Sequence, residues 1–340
     1  MAGIAEAVWF EAARSAAVRR ESLPDVGPSD IRVRSLYSGI SQGTEMLVYR
    51  GEVPADTALD LPTLEGSFGF PVKYGYAGVG CVAEVGGEVT AVRVGDRVFV
   101  HHPHQSEYVV PAKLAVPLPA DLDPALGVFF ANVETALNVV LDAHPHLGDS
   151  AAVFGQGVVG LLVTQLLRRA GVSSVVTIDP SAARRCLSLR VGADSSVGPE
   201  SAAELIRDIA AGRGTDLAIE ASGNPAALGA ALDAVGVEGT VVVASWYGTK
   251  PVSLPLGDRF HRDRLRLVSS QVGKLSPALG PGWDRGRRTR LSVGLLSQLT
   301  LDPLITHRFA LRSAPEAYRL VDRCPGDTGQ VIFTYGEGNV

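Results

Sequence analysis

The stretch "AVFGQGVVGLL", residues 152–162, decides how the chain folds. A short apolar run leads into a glycine-rich turn and then into helix-forming residues, with Gly155, Gly157 and Gly160 in G-x-G-x-x-G register. The first glycine allows the tight turn, the second lets a pyrophosphate approach the backbone, and the third lets helix and strand pack closely. The pyrophosphate would lie at the helix N-terminus, where free amides and the dipole favour an anion. The predicted loop contacts are Gly155, Gln156, Gly157, Val158, Val159 and Gly160.

A carboxylate follows the loop where a dinucleotide site needs one. Asp179 ends the next apolar run, "SVVTIDP", about 20 residues after the last glycine. There it can accept both ribose hydroxyls of NAD and repel the 2′-phosphate of NADP. Arg184 and Arg185 follow shortly and could tolerate that phosphate. The pattern favours NAD(H) over NADP(H) and leaves both open.

The flanking sequence divides into two kinds of pattern. Before residue 129, "IRVRSLYSGIS" alternates polar and apolar residues, and later short Val-rich runs are broken by Gly and Asp, which suits a small antiparallel barrel. Beyond it, the buried runs "SVVTIDP", "DLAIEAS" and "TVVVASW" are separated by helix-length segments, which predicts a parallel doubly wound sheet. The predicted class is α/β, with a β-rich substrate domain (1–128 and 271–340) and a Rossmann domain (129–270).

Composition excludes several classes of protein. A chain of 340 residues favours two domains, and a net charge of −5 gives no electrostatic footprint for nucleic acid. The N-terminus lacks the apolar core of a secretory signal, and no apolar run approaches the ~18 residues of a membrane span. Cys81, Cys186 and Cys324 lie too far apart for a disulfide framework or a paired-cysteine zinc site. We expect a cytoplasmic protein acting on a small molecule, without a membrane or nucleic-acid partner.

Six segments carry a resemblance to a known family: "GISQGTEMLVYRG", "FPVKYGYAGVG", "GDRVFVHHPHQSEYVVP", "ANVETALNVV", "FHRDRLRLVSSQVG" and "ITHRF". Together with the glycine loop they resemble the medium-chain dehydrogenase/reductase superfamily, in its zinc-type alcohol dehydrogenase-like, bacteriochlorophyllide a dehydrogenase-like branch. The resemblance implies a GroES-like substrate domain, a Rossmann domain, an active site in the cleft between them, and a homodimer. It implies an NAD(P)-dependent oxidoreductase.

The resemblance also locates the family's zinc ligands. It places Gln42 at the Cys position, Tyr74 at the His position, Gly75 at the Glu position and Ala131 at the third ligand position. Catalytic zinc needs about three protein ligands drawn from His, Cys and carboxylate. These residues do not supply them, and three cysteines cannot build the family's four-Cys structural lobe. We predict that the family's zinc is not used.

A new metal site is the open alternative. His101, His102 and His104 lie close together in sequence. On a strand, however, His102 points opposite to its neighbours, and Pro103 breaks any regular ligand spacing. No metal ligand is therefore predicted.

Three residues are candidates for proton transfer, each at a position that the resemblance marks. Thr44 stands where relatives keep a Ser or Thr relay, and its hydroxyl can both donate and accept. Tyr74 could donate to a carbonyl oxygen in place of the metal. His104 lies on the loop that replaces the zinc lobe, and imidazole suits acid–base work near neutral pH. A purely structural role is open for each of them.

Further cofactor contacts follow from the resemblance. The strand ends "ASW" and "SSQ" fall where relatives hold the nicotinamide carboxamide, and "EASG" falls near the adenosine ribose. The additional predicted contacts are Arg184, Ser222, Ser245, Trp246, Ser269, Ser270 and Gln271. Two carboxylates stay without a cofactor role: Glu45 is expected to be structural, and Glu134 could face the cleft or the solvent.

Three functions fit this sequence. The first is a zinc-independent oxidoreductase that interconverts a secondary alcohol and a ketone of a small or mid-sized metabolite, in secondary metabolism. The second is an ene-reductase or reductive cyclase that adds hydride to a conjugated C=C, where hydrogen-bond donors alone can stabilise the enolate. The third is a nucleotide-sensing binding protein, which the retained Thr44, Tyr74 and His104 disfavour.

Overall fold

A computed structural model describes residues 3–59, 61–210 and 212–336 and divides the chain into two compact units. The first unit is Met1–Ala131 with Leu301–Val340, and the second is Asn132–Thr300. The first boundary lies close to the predicted one at residue 128. The return to the first unit comes at Leu301, later than the predicted residue 271, because the helix that holds Arg288 packs within the second unit.

The strands and α-helices of the two units have the following bounds. The strands are β1 (Ile4–Ala12), β2 (Ser15–Ser22), β3 (Asp30–Ile40), β4 (Gly78–Val85), β5 (Arg97–Val100), β6 (Glu107–Pro111), β7 (Val116–Pro117), β8 (Ser150–Phe154), β9 (Ser174–Ile178), β10 (Ser195–Val197), β11 (Thr215–Glu220), β12 (Val235–Val243), β13 (Arg266–Ser269), β14 (Ile305–Ala310) and β15 (Gln330–Thr334). The helices are α1 (Thr44–Arg50), α2 (Phe130–Ala143), α3 (Val158–Arg169), α4 (Ala182–Arg190), α5 (Ala202–Ile209), α6 (Pro225–Ala234), α7 (Arg285–Leu296) and α8 (Ala314–Arg323).

The first unit is built on a mostly antiparallel sheet, as its alternating sequence predicts. Its order is β14-β15-β3-β4-β5-β7, with β6 also paired to β3; β14 and β15 are parallel. β1 and β2 form a separate antiparallel hairpin. The core beneath contains a cluster of rings in which Phe10 meets Tyr49 and Tyr318 edge-on, while the two tyrosines stack. β15 and α8 come from the end of the chain, so this unit is closed by residues remote in sequence.

The second unit is a parallel sheet with the order β10-β9-β8-β11-β12-β13. In chain order within the unit this is 3-2-1-4-5-6, the doubly wound dinucleotide-binding topology. The direction of winding reverses between β8 and β11, and ligands of such sheets bind outside the carboxyl ends of the strands at that point. The predicted Rossmann fold is confirmed.

One long apolar segment of the chain is mostly buried. Residues Leu126–Ala143, which include α2, are apolar and long enough to cross a membrane by length and composition alone. Of that window 72% is buried inside the fold, as in the core helix of a globular protein. Two acidic residues, Glu134 and Asp142, interrupt this segment.

Candidate functional site

The glycine loop has the backbone geometry that its sequence predicts. Gly155 has φ +92°, and a Cβ there would lie 2.7 Å from the backbone of Ser222 on the loop after β11. A Cβ on Gly160 would lie 1.9 Å from the carbonyl oxygen of Gly155. At Gly157 the nearest neighbour would be Arg184 Nη1, at 3.9 Å. The first and third glycines are therefore required for packing, whereas the second leaves open space at the N-terminus of α3.

Asp179 is fixed beside this loop. Its side chain is buried, and Oδ2 accepts a hydrogen bond from the Gln156 amide at 2.7 Å. Oδ1 accepts from the Ser181 amide at 2.8 Å. A carboxylate has about four acceptor positions, so two remain for ribose hydroxyls. Arg184 Nη1 lies 3.8 Å from Oδ2, so the acidic and basic candidates of the sequence analysis lie side by side.

Glu220, which the sequence placed with "EASG" near the adenosine ribose, shapes the loop after β11, a role that the sequence did not predict. Glu220 is fully buried, and its Oε1 accepts from the amides of Ser222 at 2.7 Å and Gly223 at 3.0 Å. Its Oε2 accepts from the Tyr247 hydroxyl at 2.6 Å, and burial with this bond raises the pKa of Tyr247. Ser245 Oγ accepts from the Gly223 amide at 2.9 Å. The available signal was a glutamate inside an otherwise apolar strand, "LAIEAS".

The parallel register brings the predicted cofactor residues to one edge of the sheet. Ile178 pairs with Phe154, Phe154 with Glu220, Glu220 with Val243, and Val243 with Ser269. The residues that follow these positions are those predicted to contact cofactor: Gly155, Asp179, Ser222, Ser245, Trp246, Ser270 and Gln271. Three serine side chains have protein partners here: Ser222 Oγ donates to Glu220, Ser245 Oγ accepts from the Gly223 amide, and Ser270 Oγ lies 3.3 Å from Asn138 Nδ2.

The family's zinc positions do not offer a donor set for the metal. Gln42 Nε2 donates to Thr328 O at 2.8 Å and to Gly329 O at 2.5 Å. Tyr74 is 2% exposed and packs against Phe68. Ala131 has no side-chain donor atom. These residues do not fit a zinc ion.

The fourth of those positions is filled by another side chain. Gly75 has φ +144°, and a Cβ there would lie 2.9 Å from His104 Nε2. His104 is fully buried, with Nε2 donating to Glu45 Oε1 at 2.8 Å and Nδ1 accepting from Ser38 Oγ at 2.6 Å. The imidazole therefore takes the space that a family glutamate at position 75 would need.

This histidine belongs to a buried network that the sequence did not reveal. Glu45 also accepts from the Tyr318 hydroxyl and, at 3.0 Å, from the Ser41 amide. Ser38 Oγ lies 2.7 Å from the Tyr335 hydroxyl. Burial raises the pKa values of both tyrosines. The network joins β3, α1, α8 and the chain beyond β15, so only the folded chain could show it.

Thr44 is placed differently from the other two proton-transfer candidates. It is the first residue of α1 and is half-buried. Its hydroxyl has no hydrogen-bond partner in the portion of the chain that the structure describes. His104 has no exposed atom and would have to act through Ser38 or Glu45.

The neighbouring histidines face separate partners. His102 stacks on Tyr108 with ring centroids 3.8 Å apart, and its Nδ1 donates to Pro103 O at 2.9 Å. Burial lowers the pKa of His102 to about 3. His101 Nδ1 lies 3.2 Å from Tyr76 O. Within residues 3–59, 61–210 and 212–336, no group of three or more His, Cys, Asp or Glu could hold a metal ion.

Comparison with known proteins gives the same class that the fold and the nucleotide loop define, the nicotinamide-dependent dehydrogenases. The family model "Alcohol dehydrogenase GroES-like domain" matches residues 27–119, and the model "Zinc-binding dehydrogenase" matches residues 158–281. The (R,R)-butanediol dehydrogenase of Bacillus subtilis is 31% identical over 253 residues, covering 66% of this chain and 72% of that protein. The L-threonine 3-dehydrogenase of Bacillus velezensis is 27% identical over 355 residues, covering 95% and 96%.

A solved structure shows the same fold. A zinc-binding dehydrogenase of Sinorhizobium meliloti 1021, bound to NADP, superposes with a TM-score of 0.80 at 24% identity, covering 98% of this chain and 99% of the other. The chain belongs to the zinc-type medium-chain dehydrogenase/reductase superfamily. It is an NAD(P)-dependent oxidoreductase of the alcohol dehydrogenase type. At three of the positions where the family has zinc ligands, this chain has Gln42, Tyr74 and Ala131.

Proposed function

We propose that the protein interconverts a secondary alcohol and a ketone of a small or mid-sized metabolite, in secondary metabolism, without zinc. The observation that carries the proposal is the contrast between the dinucleotide-binding site and the positions of the family's zinc ligands. The glycine loop and Asp179 are arranged as a dinucleotide site would need. The family's zinc-ligand positions instead have the hydrogen-bonded amide of Gln42, the buried phenol of Tyr74 and the methyl group of Ala131. Butanediol and threonine, the substrates named for two relatives, both carry a secondary hydroxyl.

The chain's residues have distinct roles in this reaction. The amides at the start of α3 bind the pyrophosphate, and Asp179 accepts the adenosine ribose hydroxyls. When bound, the cofactor would supply or accept a hydride, while a protein group takes up the hydroxyl proton of the alcohol or returns it in the reverse reaction. Thr44 is the proposed proton relay, because the residue is half-buried and its hydroxyl has no partner in the described chain.

The buried network positions this relay. Glu45 follows Thr44 directly and is held by His104, by Tyr318 and by the Ser41 amide. Glu45 thereby joins the two ends of the turn 41–45 and ties the start of α1 to the buried core. His104 is a positioning residue in this proposal, and Tyr74 remains an alternative donor from a buried position.

Asp179 supports a preference for NAD(H) over NADP(H). Its two free acceptor positions suit two ribose hydroxyls, and its charge opposes a 2′-phosphate. Arg184 beside it reduces that opposition, so we propose a preference and not exclusive use of NAD(H).

Reduction of a conjugated C=C is the second candidate. An ene-reductase needs only hydrogen-bond donors at the developing enolate, which suits a site built from Thr44 and Tyr74. A panel of secondary alcohols, ketones and enones, assayed with both nicotinamide cofactors, separates the two reactions by which class turns over.

Metal analysis of the active protein tests the zinc-free part of the proposal. Purified protein that turns over substrate should hold well under one zinc per chain, because about three ligands are needed and these positions supply none of the usual ones. Turnover should survive prolonged treatment with a chelator. Near-stoichiometric zinc whose removal abolishes turnover would overturn this assignment.

A further inference from the structure

A buried arginine of the second unit lies outside the nucleotide loop. Arg288, on α7, is 4% exposed. Its Nε donates to Glu134 Oε1 at 3.3 Å, and its Nη1 donates to Asn138 Oδ1 at 2.7 Å, both on α2. Glu134 is itself buried, which answers the question that the sequence left open about its direction. A buried charge of this kind is costly unless it is paired and hydrogen-bonded.

The same group holds the chain that follows β13. Arg288 Nη1 donates to Val272 O at 2.5 Å. Asn138 Nδ2 lies 3.3 Å from Ser270 Oγ and 3.5 Å from Gln271 O. Three consecutive residues of this segment are therefore tied to the pair formed by α2 and α7.

The location of the segment gives these contacts a functional meaning. β13 is the parallel edge strand, and Ser269, its last residue, pairs with Val243 at the end of β12. Ser270, Gln271 and Val272 thus leave the carboxyl edge of the sheet, where open α/β folds bind their ligands. The adenosine half is assigned to Asp179 on the opposite side of the β8–β11 reversal, so the edge strands beyond β11 remain for the other half.

We propose that Arg288 is a positioning residue that holds segment 270–272 in the geometry that receives the nicotinamide half of the dinucleotide. This inference rests on the proposed NAD(P)-dependent function. The planar guanidinium satisfies a carboxylate, an amide oxygen and a backbone carbonyl together, which a lysine ammonium on a flexible stem does not reproduce. A helix pair held only by packing would not need a charge at this point.

Arg288→Lys tests the proposal with two ligands that differ only in the nicotinamide. The affinity for NADH should fall about tenfold, while the affinity for ADP-ribose, which lacks the ring, should stay within about twofold. Both are measured by titration calorimetry on the full-length protein. Arg290→Lys, at an exposed position of the same helix, is the matched control and should change neither affinity.

Equal losses for both ligands would mean a merely structural role, and unchanged affinities would mean that segment 270–272 is not held by Arg288; either result overturns the proposal. If Arg288→Lys does not fold, Glu134→Gln serves instead, since its amide keeps an acceptor for Nε while removing the counter-charge. Wild-type protein that binds ADP-ribose and not NADH would instead contradict the proposed function, which requires the nicotinamide half of the cofactor to be bound.

Discussion

His102 is buried as a neutral imidazole, and this burial links the stability of the first unit to pH. The ring stacks on Tyr108 and its Nδ1 donates to Pro103 O, and burial lowers its pKa in the folded state to about 3. In the unfolded chain the pKa returns to about 6.5. Below that value the unfolded state binds the extra proton, so folding stability decreases as the pH falls from 6.5 toward 3.

His102→Phe should remove this part of the pH dependence. The aromatic ring can still stack on Tyr108, and it carries no titrating group. Between pH 6.5 and 4 the free energy of unfolding of the wild type should fall more steeply than that of the variant, by at most about 1.4 kcal/mol per pH unit. Urea titrations at several pH values measure the difference. Replacing exposed His261 by Gln should leave the slope unchanged, and parallel slopes for wild type and His102→Phe would contradict the neutral state.

Asp179→Asn should alter cofactor choice. The amide removes the charge that opposes a 2′-phosphate and replaces one acceptor atom by a donor. NADH affinity should fall about tenfold or more and NADPH affinity should change little. Asp194→Asn is the control, because that carboxylate also accepts from a backbone amide, Val175 N, at 2.7 Å. Equal losses for NADH and NADPH would remove the ribose-binding role.

At the scale of elements, the turn between β8 and α3 contains glycines with two different roles. Gly155 and Gly160 are needed for packing, whereas Gly157 borders the open space where the dinucleotide is proposed to bind. Gly160→Ala places a methyl group against the backbone oxygen of Gly155, which cannot move aside. It should destabilise the protein by about 1–3 kcal/mol or more and weaken NADH binding with it. Gly157→Ala has open space, so its stability should change by less than about 1 kcal/mol while NADH affinity falls about tenfold or more. Thermal unfolding and titration calorimetry give both quantities; a fall in stability as large for Gly157→Ala as for Gly160→Ala would contradict the distinction.

The same element shows how far sequence alone reaches. The glycine spacing with a carboxylate after the next strand, and the buried runs that alternate with helix-length segments, are local patterns; the first predicted the dinucleotide loop and the second the parallel sheet. The network of Ser38, Glu45, His104, Tyr318 and Tyr335 could not be predicted, because its members come from segments up to 297 residues apart. His104 illustrates the limit: the sequence shows an imidazole in a polar loop, and only the fold shows that both nitrogens have partners.

At the scale of the whole molecule, strand β15 completes the core of the first unit. Phe333 on β15 is fully buried and lies 4.9 Å from the His104 ring. Phe333→Ala should lower the free energy of unfolding by about 3–5 kcal/mol, as for other buried aromatic truncations. Val237→Ala, at a position 73% exposed, should change it by less than about 0.5 kcal/mol. Chemical denaturation measures both, and a loss below about 1 kcal/mol for Phe333→Ala would mean that β15 contributes little to that core.

The interrupted course of the first unit has a consequence for synthesis on the ribosome. Asn132–Thr300 is one uninterrupted stretch, whereas β3 must wait for β15, which emerges last. Since chains emerge from the N-terminus at about 5–20 residues per second, the nucleotide-binding unit can fold while the N-terminal 131 residues still lack a sheet edge and part of their core. The nascent chain would then leave the β15-facing edge of β3, residues 37–40, unpaired for the whole of that interval, and during it chaperone binding to the N-terminal segment should be greatest.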